Sequence, residues 1–288
     1  MADKLYTQGL NGFLNGTLDW DSTTFSAALV DLDTADTGVK QIASSTNATP
    51  IVVTATSHGF SNGDIVVITG HTTNTAANGI WAIAGVATNT FQLTDPITGG
   101  NSVGNGVGGA TGRAICLGPS ASGDNWDDFD GCLVGTKVNL TSPTATAGVA
   151  DAADVTFTSV SGATVEAVVI FRDTGTASTS TMAAFIDGRQ IVTCAATAAS
   201  SATSVAVERL RGGIPNGTTI AFSNGASATL SSLASAGDRT LTVSSLAAQI
   251  TAGSRGDAPI TGSGLPVTPN GGNITLTFDN GSNKIFAI

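Results

Sequence analysis

Charge is scarce in this chain: Asp, Glu, Lys and Arg make up 11% of 288 residues, and aromatics only 5%. So few aromatics leave little material for an exposed stacking face of the kind that reads single-stranded nucleic acid or sugars. The charge is also lopsided, with 21 acidic against 11 basic side chains. An acidic surface repels phosphate backbones and anionic lipid, which argues against nucleic-acid and membrane partners. Cysteine is limited to Cys116, Cys132 and Cys194. An odd number without CxxC spacing is neither a disulfide framework nor a zinc site. Free, buried thiols are expected, in keeping with synthesis in a reducing cytoplasm. Long apolar runs are missing, so no segment suits a membrane-spanning helix. The opening "MADKLYTQGLNG" has no apolar core of a signal peptide. Helical periodicity is nearly absent, and the best stretch, "KLYTQGLNGFLNG", is weakened by its glycines.

What the chain has is glycine, 36 residues of it, together with Ala, Thr, Ser, Val and Asn, and a hydrophobic content of 41%. That composition can bury a core. Thr and Val favour strands, and Gly and Asn supply turns. Strands are expected at 25–32, 154–160, 165–173, 181–187 and 273–279. In the last, Ile274, Leu276 and Phe278 share one face and Thr275 and Thr277 the other, the period of a half-buried strand. The fold class expected is all-β: an antiparallel, sandwich- or barrel-like frame carrying two inserted small β-domains.

Texture divides the chain accordingly. Residues 1–40, 116–189 and 263–288 form the expected discontinuous frame. Residues 41–115 form one inserted barrel-like module, ending in the glycine-rich run 99–112, which reads as a flexible linker or a long loop. Residues 190–262 form a second, with an internal repeat. "SVAVERLRGGIPNGT" (204–218) aligns with "TLTVSSLAAQITAGS" (240–254) at an offset of 36, matching Val205 to Leu241, Val207 to Val243, Leu210 to Leu246, Ile214 to Ile250 and Gly217 to Gly253. "GFSNGDIVVI" (59–68) parallels "GIPNGTTIAF" (213–222), with Asn-Gly supplying the turn. Both histidines, His58 and His71, flank the first of these. Gly212 stands where His58 would be in the second, so the scaffold needs no histidine and both are read as ordinary structural residues.

No constellation assembles for chemistry. The acidic stretch "DNWDDFDG" (124–131) fails as an EF-hand loop, since Lys137 falls where a bidentate Glu belongs. A different Ca²⁺ site there stays open beside the plain reading of a solvated loop. "SRGDAP" (254–259) holds an Arg-Gly-Asp triplet, read as an exposed charged loop. A nucleophile elbow and a phosphate loop are missing, and the two glutamates, Glu166 and Glu208, have no supporting pattern. Trp20 and Trp126, each flanked by Asp, are read as core anchors rather than a sugar-binding face. No catalytic, cofactor or metal residue is assigned, and no enzyme is expected.

Three blocks carry a resemblance: "LYTQGLNGFLNGTLDWDSTTFSAALVD" (5–31), "GVADAADVTFTSVSGATVEAVVIFRDTGTASTSTMAAFID" (148–187) and "GLPVTPNGGNITLTFDNGSNKIFAI" (264–288). They resemble a family of small virion structural proteins of tailed bacteriophages. The two inserted stretches are similar to β-modules of phage head and tail proteins. The resemblance implies a non-enzymatic virion protein without cofactors, made in the host cytoplasm. The expected role is capsid decoration, a cement protein on the capsid exterior whose partner is the major capsid protein. A homotrimer is expected because shells offer local threefold positions. The alternative is a tail, neck or fibre component with host contact.

Overall fold

A computed structural model describes residues 4–278 and 285–287. The protein is mostly β, in several antiparallel sheets with one α-helix among the described residues. It divides into two compact units. The first is Met1–Val39, Cys116–Gly188 and Gly264–Ile288; the second is Lys40–Ile115 and Arg189–Ser263.

The first unit is built on a five-stranded sheet in the order Lys4–Leu5, Met182–Ile186, Ala167–Arg172, Phe25–Val30, Leu133–Asn139. Its central strands are apolar on both faces because both faces are covered. One face presents Phe25, Ala27, Leu29, Val168, Ile170, Ala184 and Ile186 to a core completed by Val155, Phe157, Ala150 and Phe286. Those last four come from the pair Val155–Phe157 with Ile274–Leu276 and from a small sheet of Thr144–Thr146, Val149–Asp151 and Phe286–Ala287. The opposite face carries Phe171, on which Trp126 stacks at 4.5 Å, and Phe185, which Tyr6 meets edge-on at 6.5 Å. The strand expected at 273–279 is paired over Ile274–Leu276, with Thr275 and Thr277 exposed and Phe278 buried; Asp279 lies outside the described residues.

The α-helix, Thr7–Leu14, forms in the glycine-bearing stretch that propensity disfavours. Its glycines are the packing face. A Cβ on Gly9 would stand 2.6 Å from Met182 O, and one on Gly12 would stand 2.6 Å from Leu18 Cγ. Contact with the strand beneath outweighs the propensity cost of about 1 kcal/mol per glycine.

In the second unit, residues 40–115 contribute a seven-stranded sheet in the order Val39–Gln41, Arg113–Cys116, Ile65–Thr69, Gly79–Ala87, Thr90–Thr94, Val52–Thr54, Ser44–Ser45. The strands along which the chain enters and leaves this stretch are neighbours. The glycine-rich run is a long loop lying close against these strands. A Cβ on Gly106 would meet Thr73 O at 2.9 Å, and one on Gly112 would meet Thr69 O at 2.7 Å. Residues 189–263 enter and leave on another neighbouring pair, Arg189–Thr193 with Arg255–Pro259.

The offset of 36 is a pseudo-twofold in this second stretch. Val205 faces Leu241 at its centre. Around them, the central backbone contacts recur with their numbers shifted by 36. Ala198 and Ile250 exchange backbone hydrogen bonds, as do Ala234 and Ile214. Cys194 bridges Val207 as Leu230 bridges Val243. The pair Arg189–Thr193 with Arg255–Pro259 answers Ser227–Thr229 with Thr219–Ala221. Matched apolar positions, Leu210 with Leu246 and Ile214 with Ile250, fill one shared core.

Candidate functional site

His58 is buried; its Nδ1 accepts from Phe60 N at 3.0 Å, so Nε2 carries the proton and donates to Ala87 O at 2.8 Å. The ring packs on Phe60 and Phe91, both 5.1 Å away. It pins the turn that the parallel copy at Gly212 makes without it.

His71 lies in a separate network and brings in a serine. Its Nε2 is 2.7 Å from Ser45 Oγ, and its Nδ1 is 2.9 Å from Thr111 Oγ1. Asn74 Nδ2 donates to the same Ser45 oxygen at 3.0 Å. A serine beside an imidazole is the nucleophile–base geometry of acyl transfer. Here both are buried, and Gly108 closes over them: it exchanges backbone hydrogen bonds with Ser45, and a Cβ on it would collide with His71 Nε2 and Ser45 Oγ. Thr111, not a carboxylate, orients the ring. Burial lowers the His71 pKa, keeping the ring neutral. The arrangement ties the glycine loop to the sheet and leaves no approach for a substrate.

The acidic loop 124–131 is folded rather than loosely solvated. It forms two short 3₁₀ turns, Trp126–Asp128 and Asp130–Cys132. The Asp128 carboxylate accepts from Asp124 N at 3.2 Å and Asn125 N at 3.3 Å. Burial pushes its pKa up to about 6, with Asp127 and Asp124 adding to the shift. Burial also raises Asp130, helped by Asp36 and Asp127. Elsewhere, Asp31, Asp33 and Glu166 bring carboxylate oxygens within 4.8 Å of one another. Two of the three carboxylates accept hydrogen bonds. Asp31 accepts from Asp33 N at 2.8 Å and Thr34 Oγ1 at 2.9 Å, and Glu166 Oε2 accepts from Leu32 N at 2.9 Å.

Asp19 and Asp21, the aspartates flanking Trp20, form a carboxyl pair. Hydrogen bonding from Ser22 and from the neighbouring Asp21 lowers Asp19, the acceptor, and the same interaction raises Asp21, the donor. Asp19 borders an apolar depression of about 300 Å³ lined by Phe13, Leu18, Trp20, Val149, Ala150 and Phe286. Both carboxyls are exposed, and they lie against each other. Glycosidic cleavage needs carboxyls about 5 Å or more apart, flanking the bond. Trp20 is buried, donating from Nε1 to Asp151 O at 2.8 Å. Trp126 is buried too, on Phe171.

The Arg-Gly-Asp triplet needs a correction. It lies in the strand Arg255–Pro259 and not in a loop; Gly256 and Asp257 are buried, and Asp257 Oδ2 accepts from Arg189 Nε. Alternating Gly256 and Ala258 pack inward, and this buries the motif. All three cysteines are buried and unbridged. Burial pushes Cys132 up to about 12 and raises Cys194, so both remain thiols. His58, His71, Ser45, Asp128 and Asp257 are thus engaged in hydrogen bonds that hold the fold itself. Among the described residues no helix is long and apolar enough to cross a membrane. No family model matches this chain, and no curated protein matches it.

Proposed function

We propose that this chain is a non-enzymatic structural protein of a tailed-phage virion: a capsid decoration protein that binds the outer surface of the major capsid shell. The observation that carries the proposal is the way the chain is interrupted. The strands flanking each excursion hydrogen-bond to each other, Val39–Gln41 beside Arg113–Cys116 and Arg189–Thr193 beside Arg255–Pro259. An excursion whose ends meet can be long without disturbing the fold it leaves, because loop closure is already satisfied. Such an architecture adds surface rather than chemistry, which suits a coat component. The resemblance of the blocks 5–31, 148–187 and 264–288 to phage virion proteins supports the same reading. So does the use of Ser45, His71 and the loop carboxylates in local hydrogen bonds.

Binding would rest on modest contacts repeated by symmetry, a cyclic trimer at a local threefold position giving avidity. The test is the copy number of this chain in purified virions relative to the major capsid protein, by quantitative mass spectrometry. A simple ratio set by capsomer symmetry is expected. A few copies per particle would overturn decoration in favour of a tail, neck or fibre role.

A further inference from the structure

Charge is partitioned between the units. The first holds 16 Asp and Glu against 4 Lys and Arg; the second holds 5 against 7. Three of those seven, Arg209, Arg211 and Arg239, are exposed on one ribbon of the pseudo-twofold stretch. The ribbon is the segment 207–214 running beside 234–239. It is held by Val207 N to Arg239 O at 2.9 Å, Leu210 N to Asp238 O at 2.9 Å, Gly237 N to Leu210 O at 2.8 Å and the Ile214–Ala234 exchange. Its acids are partly spent. Asp238 turns back to accept from Ser235 N at 2.7 Å, and Glu208 lies 3.7 Å from Arg239.

The molecule contains its own control. The second ribbon, 243–250 beside 198–203, makes the same ladder: Val243 N to Thr203 O at 2.9 Å, Leu246 N to Ala202 O at 3.0 Å, Ser201 N to Leu246 O at 2.8 Å and the Ile250–Ala198 exchange. Where the first ribbon has Glu208, Arg209, Arg211, Asp238 and Arg239, this one has Ser244, Ser245, Ala247, Ala202 and Thr203. An equal backbone forms with no charge at all. The arginines are therefore not required by the fold, and three exposed guanidinium forks on adjacent segments present donors matched to carboxylates.

We propose that the ribbon bearing Arg209, Arg211 and Arg239 is an interaction surface that docks on the acidic first unit of a second copy of this chain. The 16-to-4 balance of that unit is the complementary charge on the page. The contact joins two different surfaces, so it is heterologous and runs head to tail, closing a ring where the rotation permits. It rests on the self-association that the virion reading invokes and names a contact for it; because it is tested on the purified chain alone, its failure leaves the copy-number test of decoration untouched.

The test is sedimentation velocity of the full chain across protein concentration, at about 20 mM and about 500 mM salt, where screening lengths differ several-fold. Expected is association at low salt that weakens by about tenfold or more at high salt, as an interface built on exposed charge does. The variant Arg209→Ser, Arg211→Ala, Arg239→Thr copies the neutral ribbon. It is expected to melt like the native chain and to sediment as a monomer at both salts. A native chain that is monomeric at low salt, or a folded variant that associates as the native chain does, overturns the proposal. Should the variant fold poorly, the salt dependence of the native chain decides alone.

Discussion

Tyr6 shows how much a single residue can cost and still be kept. Its ring is fully buried between Phe129 and Phe185, yet among the described residues its hydroxyl has no hydrogen-bond partner. Burial, with Cys116, Asp128 and Cys132 nearby, holds its pKa well above the ordinary value. An unsatisfied buried hydroxyl costs about 1–3 kcal/mol, so Tyr6→Phe is expected to stabilise by about 1 kcal/mol in urea denaturation at pH 7. Asp128 makes a pH-dependent case. Its folded pKa, about 6, lies above that of an unfolded Asp. The unfolded chain therefore loses this proton first as pH rises, and stability falls from about pH 4 to about pH 6 and then levels. Asp128→Asn keeps an acceptor for Asp124 N and Asn125 N, so it is expected to gain about 1 kcal/mol at pH 7 and nothing at pH 4. An equal effect at both values would refute the linkage. Tyr6 carried no signal in the sequence, whereas Asp128 lay in the acidic stretch noticed there and only its burial was not legible.

Elements show where local preference yields to packing. Gly9 and Gly12 count against a helix by propensity, and the sheet beneath makes them necessary. Gly9→Ala should raise intrinsic helicity and still lower the melting temperature, because its methyl would meet Met182 O. A rise in melting temperature would show that the helix can lift off the strand. Gly108→Ala should cost about 2 kcal/mol by forcing Ser45 and His71 apart, seen as a lower denaturation midpoint. The turns, by contrast, were legible. Asn62-Gly63 and Asn216-Gly217 place glycines at φ +90° and +80°, a conformation that side chains other than glycine rarely adopt. Equivalent elements should also cost alike: Leu210→Ala and Leu246→Ala, both buried in the shared core, are each expected to lose about 2–5 kcal/mol. Unequal losses would mean that the pseudo-twofold is one of backbone only.

On the scale of the whole molecule, two properties follow from chain organisation rather than from any residue. Each long excursion returns beside its own start, and charge separates between the units, 16 acids to 4 bases in one and 5 to 7 in the other. The net charge of −10 conceals that separation. The offset-36 alignment already held the clue, since Glu208-Arg209-Leu210-Arg211 stands opposite Ser244-Ser245-Leu246-Ala247. Only the equality of the two ladders turns that difference into an argument about a surface.

The sequence by itself determined the all-β class, the turns and the alternating faces, because these depend on side-chain type and on a period of two along a local stretch. It also determined the matched apolar positions of the repeat. Tertiary structure decided the rest. It set which strands neighbour which, that the repeat closes as a pseudo-twofold around Val205 and Leu241, and that Gly256 and Asp257 of the Arg-Gly-Asp triplet are buried. It also placed the only two histidines in hydrogen bonds to Ala87 O and Ser45 Oγ. Those outcomes depend on contacts between residues tens to more than a hundred positions apart, and no local pattern encodes such contacts.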